Sequence, residues 1–233
     1  MSPQNIAHSI HRYLSLRKHK DTHFKRHTDA IEKWRMQHMA HCYEPLMSDP
    51  SYSLLLHYYF NEVFSGIDLS ELGEAKMAMK FINKVFTGTE MLHSALEFNA
   101  ITGEINQALA EYIFEEKDAE ILTEELYSEA CHKLQIIEKL DQQITCFEDF
   151  AKDINSTLSN KVVYTSIKIA RLPAKLAGCS NLYRLVSDGF ETLRKIDNPR
   201  KIAETFINHE RYTISRLASK TLPIYLPIGH DGT

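Results

Sequence analysis

Ser51-Tyr-Ser-Leu-Leu-Leu-His-Tyr-Tyr-Phe-Asn-Glu-Val-Phe-Ser-Gly66 is apolar on every helical face and still carries Glu62. Apolar or aromatic residues at 52, 54, 55, 56, 58, 59, 60, 63 and 64 leave no polar stripe, which is the pattern of a helix enclosed by others. The stretch therefore predicts a central, buried helix in an all-α protein. Ser51 is the expected cap, and Gly66 the expected stop. Glu62 is then expected inside the fold, where a carboxylate must be paired, hydrogen-bonded or protonated. Arg171, Arg211 or an N-terminal histidine could pair with it.

Helical periodicity extends outward from this stretch, with no alternating strand pattern and no Asn-Gly or Asp-Gly hairpin turn. An N-terminal helical region is expected over residues 5–47 with a break near Lys20. It ends at Ser48-Asp49-Pro50, because proline disfavours helix at the residue before it. Further helices are expected over residues 73–86, 89–116, 121–154, 160–172, 180–196 and 199–220, with Pro173 halting the fourth of these and Pro199 in a first turn. Apolar stripes run through Met91, Leu92, Ala95, Phe98, Ile105, Leu109 and Ile113, and through Leu122, Leu126, Ala130, Ile137, Leu140, Ile144, Phe147 and Ala151. The expected fold is a single-domain helical bundle of about eight helices without a β-sheet, residues 1–222, followed by a loosely ordered C-terminal tail, residues 223–233.

Composition agrees with few, long elements: only 8 Gly and 7 Pro occur in 233 residues, with 25% charged and 43% hydrophobic side chains. The four cysteines are scattered without a C-x-x-C pair, and the N-terminus has no signal-peptide pattern, which points to a cytoplasmic protein with free thiols. No apolar run reaches the ~20 residues that cross a bilayer. The net charge is -4, but it is unevenly spread. Residues 1–35 hold eight Lys/Arg against three Asp/Glu, residues 60–130 four against fifteen, and residues 158–222 twelve against five. The expected arrangement packs the basic ends beside the acidic middle. The basic, amphipathic stretch 161–175 follows the same expectation, or else lies on an anionic membrane or partner.

The chemistry-bearing patterns are sparse. Glu90 with His93 and Glu129 with His132 form two Glu-x-x-His pairs, the spacing by which di-iron carboxylate bundles offer two ligands from one turn, and Glu62 could supply a further ligand. Both pairs share their faces with other polar residues, so solvated surface positions are expected and no cofactor is assigned. His19, His23 and His27 lie four apart and His38 and His41 three apart, spacings that can chelate a divalent ion but also suit a wet, basic helix. Phosphate-binding glycine loops and the nucleophile elbow are absent, and a pI near 6.3 without aromatic platforms argues against nucleic acid as a partner.

The run Ile31-Glu-Lys-Trp34, with Tyr43, Asp49-Pro50-Ser-Tyr52 and Tyr59-Phe-Asn-Glu-Val-Phe-Ser-Gly66, resembles the start of the FFLEELY-motif family of uncharacterised bacterial proteins. The likeness continues through Ala95-Leu-Glu-Phe-Asn99, Arg171-Leu-Pro-Ala174, Gly189-Phe190 and residues 206–211. Within the name-giving motif Phe60, Glu62 and Gly66 agree, Tyr59 and Phe64 are conservative, and Asn61, Val63 and Ser65 depart. The resemblance implies a bacterial helical protein without an assigned activity, and it marks Trp34, Glu62, Glu97, Asn99 and Arg171 as matched positions. The expected function is non-catalytic binding of a protein or small molecule, with a second copy of the chain among the open partners. A di-metal oxidase or metal-storage bundle and a peripheral membrane module are the alternatives.

Overall fold

The computed structural model describes residues 3–64, 89–152, 154–176 and 178–229. They form one helical domain, with no strand among the described residues. The expected helix over residues 73–86 and the stop at Gly66 lie outside them.

Helix α1 (Pro3–Ser15) is followed by a 3-10 turn at Arg17–His19 and by α2 (Thr22–Tyr43). The break falls at Lys20-Asp21 because the Asp21 carboxylate accepts hydrogen bonds from the backbone amides of His23 and Phe24, capping α2. His19 therefore stands on a different element from His23 and His27, and the expected three-histidine face does not form. The aromatic helix, α3 (Pro50–Tyr58), starts two residues earlier than expected, with Asp49 as the cap in place of Ser51 and Pro50 in the first turn. It continues as a π-helical turn, Tyr59–Phe64.

The centre of the fold is α4 (Thr89–Ala110), which runs into a second π turn at Glu111–Glu116. Helices α1 and α2 pack on α4, and so does α6 (Ile136–Lys152). Leu96, Ala100, Ile105, Leu109 and Ala110 of α4 are almost wholly buried. Each large aliphatic side chain of this set contributes about 1.5–3 kcal/mol from transfer out of water. The expected helix over 121–154 is two: α5 (Glu124–Lys133), capped by Thr123, and α6. Between them Gln135 adopts a left-handed conformation, φ 56°, which no turn residue in the sequence signals. Past α6 come α7 (Ile154–Ser159), α8 (Lys161–Ile169) with an Asn160 cap, α9 (Arg171–Leu176), α10 (Ser180–Arg194) and α11 (Pro199–Ala218). Pro173 sits within the first turn of α9, where its missing N–H is harmless, so it does not end a helix as expected.

The segment after α11, expected to be loose, carries two buried side chains at 224 and 225 and partly buried ones at 226–228. Ile224 is fully buried and Tyr225 nearly so. The Ile224 amide donates to Glu124 Oε2 at 2.7 Å, and the Ile228 amide donates to the Cys42 carbonyl at 2.9 Å. Burial of two large apolar side chains outweighs the short, proline-containing sequence that suggested a tail. The basic N-terminal segment does meet the acidic middle: Arg12 binds Glu97 and Glu104, and Arg17 binds Glu115 at 2.8 Å.

Candidate functional site: an apolar cavity and a buried arginine

Helix α3 is less enclosed than its sequence suggests. Among its described side chains and those of the π turn, only Leu56 and Tyr59 are buried. Tyr52, Leu55 and Tyr58 face a cavity of about 440 Å³ between α3, α4, α6, α7, α8, α10 and α11, while Leu54 is exposed. Tyr52, Tyr58, Phe98, Phe147, Phe190 and Phe206 supply its aromatic lining.

The described wall is uncharged, with Ser94, Asn99, Ser156, Thr157, Asn160 and Thr205 as its neutral polar side chains. No charged side chain and no histidine is among the described lining residues. Tyr58 Oη donates to the Leu185 carbonyl at 2.6 Å, and Tyr52 Oη lies 3.2 Å from Thr205 Oγ1, so both hydroxyls already have partners. The Cys146 thiol is pushed up to about 11 by burial, which keeps it protonated and a poor nucleophile. The cavity can hold a hydrocarbon or a neutral ring system, and its described lining offers no charged group to balance a buried charge.

Tyr59, Phe98 and Phe206 form a wall shared with a second, much smaller cavity of about 30 Å³. Arg35, only 3% exposed, lines this second space together with Gln143, Thr213, Glu210, Tyr127 and Tyr225. Arg35 Nη1 donates to Asn106 Oδ1 at 2.6 Å and Nη2 to Gln143 Oε1 at 3.5 Å, while Gln143 donates onward to Thr102. Glu210 accepts a 2.7 Å hydrogen bond from the Tyr43 hydroxyl. Burial pushes its carboxyl up to about 7, against the stabilising influence of Tyr43 and Arg35. Arg35 and Glu210, and not Glu62, are the charged residues that line this smaller cavity. The sequence carried a signal for Arg35: Phe24, Thr28, Ile31, Arg35, Met39 and Cys42 form one stripe, all buried, and Arg35 interrupts it.

Glu62 sits at the rim, with its side chain 32% exposed and paired to Arg184 Nη1 at 2.8 Å. The π turn presents Tyr59 to the core and leaves Glu62 beside α10, which corrects the expectation of a buried acid. Arg171 is exposed on α9, and Arg211 pairs with Asp141 and Glu148, so neither serves Glu62. Trp34 stacks obliquely on His38 and Tyr127, with ring centroids 3.9 and 5.0 Å apart, as part of the packing under Tyr225. Glu97 is half-buried. Burial opposes its ionisation, but Ser9 and Arg12 outweigh this and hold the carboxyl below its ordinary value. Of Trp34, Glu62, Glu97, Asn99 and Arg171, Asn99 lines the large cavity, as do Tyr52, Ala95, Phe98, Gly189 and Phe190 from the other resembling stretches.

The Glu129–His132 pair is engaged elsewhere. Glu129, half-exposed, accepts from the Tyr112 hydroxyl at 2.8 Å and pairs with Lys117 at 2.7 Å. His132 Nε2 lies 2.8 Å from the Leu217 carbonyl. His93 stands beside Glu97, and the Glu90 side chain is outside the described residues. Among the described residues no group of three or more His, Cys, Asp or Glu could hold a metal ion. No helix is long and apolar enough to cross a membrane among those residues.

Residues 15–222 match a family described as a domain of unknown function (DUF8198). No curated protein and no solved structure matches the chain.

Proposed function

The chain belongs to this DUF8198 family, whose description assigns no activity, and we propose from its site that it is a non-catalytic binding protein for an uncharged, apolar small molecule held in the α3/α10 cavity. The observation that carries the reading is the cavity's size and lining. The volume of about 440 Å³ falls in the range of natural ligand sites, and a bound apolar molecule would take the aromatic and aliphatic lining out of contact with water.

The absence of charge among the described lining residues selects the ligand class. A carboxylate or phosphate inside this wall would lose its hydration without compensation, so the buried part of the ligand is a hydrocarbon chain or neutral ring system. Four free cysteines, three of them buried, support a reducing cytoplasmic setting. The FFLEELY-like residues support a bacterial origin. The di-metal alternative finds no support in the positions of Glu62, Glu129 and His132.

The test is titration with diphenylhexatriene, a neutral rod-shaped probe whose fluorescence rises in apolar surroundings, with hexadecanol as competitor. Saturable one-to-one binding is expected, displaced by hexadecanol and lost in Ala95→Phe, which fills the lining beside Phe98. Binding unchanged in a folded Ala95→Phe variant would refute the assignment of the site.

A further inference from the structure

Helices α8 and α9 form a corner with an unusual surface. Of the exposed large hydrophobic residues described in the chain, Val162, Ile169, Leu172 and Leu176 fall within fifteen positions, at 65–75% exposure. Lys161, Lys168, Arg171 and Lys175 are interleaved with them and are also exposed. Residues 161–176 contain no Asp or Glu. None of these four cations takes part in an ion pair with a described residue, in contrast to Arg12, Arg17 and Arg184, which bind carboxylates of the acidic middle. Lys168 Nζ instead lies 4.3 Å over the Tyr164 ring, with Glu191 as the carboxylate that acts on it through space. The stretch therefore makes no ion pair with the described part of the acidic middle.

The other face of α8 is part of the ligand site: Val163 and Ile167 line the large cavity. The helix thus separates the cavity from the outside, with an apolar inner face and a mixed basic and apolar outer face. We propose that the α8–α9 corner is a docking surface for an anionic lipid bilayer. Ile169, Leu172 and Leu176 enter the headgroup boundary while the lysine and arginine stems extend along them and place their charges among anionic headgroups. In a chain of net charge -4, this local basic patch orients the molecule with its cavity wall toward the membrane. A bilayer fits these observations better than an acidic protein surface, because the patch abuts a cavity for an apolar molecule of the kind that dissolves in membranes.

Flotation with phosphatidylcholine vesicles, with and without phosphatidylglycerol, tests the proposal on the intact chain. The wild-type protein is expected to float with the phosphatidylglycerol vesicles and to be released by salt. Lys168→Glu with Lys175→Glu should weaken binding roughly tenfold or more. Leu172→Ser with Leu176→Ser should also weaken it, and because all four side chains are exposed both variants should keep the wild-type helical signal. Ala95→Phe, which blocks the cavity, should float like wild type, so failure of the ligand reading and failure of docking are separately visible. Failure of the wild type to float, or flotation retained by both double variants, overturns the proposal. Equal binding to soluble polyglutamate, insensitive to the leucine substitutions, overturns it in favour of an acidic protein partner.

Discussion

The hydroxyl of Tyr58 occupies the space that a Cβ on Gly189 would need: an ideal Cβ there falls 2.6 Å from Oη and 2.9 Å from Cζ. The same hydroxyl is pinned by its hydrogen bond to the Leu185 carbonyl, one turn away on α10. This contact closes one side of the apolar cavity, and it explains a glycine inside a helix, where glycine is otherwise unfavourable by about 1 kcal/mol. Gly189→Ala is expected to destabilise the protein by about 1–3 kcal/mol through overpacking. In a Tyr58→Ala background the same substitution should become neutral or stabilising, by up to about 1 kcal/mol. Denaturant titration of the four proteins of this cycle measures the difference.

Glu62 and Arg184 form a surface pair, so Glu62→Gln should change stability by less than about 1 kcal/mol. A thermal melt within a few degrees of wild type is the expected result. A loss of several kcal/mol would restore the buried-acid reading of the sequence.

The pH dependence of stability follows from Glu210 and Glu32, both pushed up to about 7 by burial. A carboxyl whose folded value is raised holds its proton more tightly in the folded state. Its stabilising contribution is complete below the ordinary value of 4.5 and is lost as pH rises through about 7. Glu97 and Glu104, held low by Arg12 and their hydroxyl or lysine partners, act in the opposite sense and lose their contribution as pH falls through their folded values. Denaturation at pH 5.5 and pH 8 should show lower stability at pH 8. Glu210→Gln should shrink that difference, and adding Glu32→Gln should shrink it further.

Gln135, exposed at the α5–α6 break, pays for its φ of 56° with steric strain. Gln135→Gly should therefore raise stability by about 0.5–1 kcal/mol, less than the full relief because glycine also loosens the unfolded chain. An unchanged or lowered denaturation midpoint would show that the left-handed turn is not strained.

The sequence made the fold class legible because the 3.6-residue stripes of α4, α6 and α11 are long and regular: Phe98, Ile105, Leu109 and Ile113 are all buried, as their spacing demands. Breaks without a signal were not legible, since Gln135 is not a turn-forming residue type. The apolar stretch at 51–66 was singled out correctly as unusual, but apolar surroundings can be side chains or a cavity, and residue pattern does not distinguish them. The cavity itself joins residues from position 43 to position 206, and such long-range convergence is not encoded in local periodicity. Arg35 and Glu210 were legible in principle. Each interrupts an apolar stripe, Glu210 between Phe206 and Thr213–Leu217, but counting charges by segment hid them among surface residues.

Native mass spectrometry of untagged protein, with organic extraction of the same sample, tests the central claim most directly. The account predicts one neutral, organic-soluble molecule per wild-type chain and none on Ala95→Phe. A clean apo mass for a folded wild-type protein that also fails to take up diphenylhexatriene would contradict it.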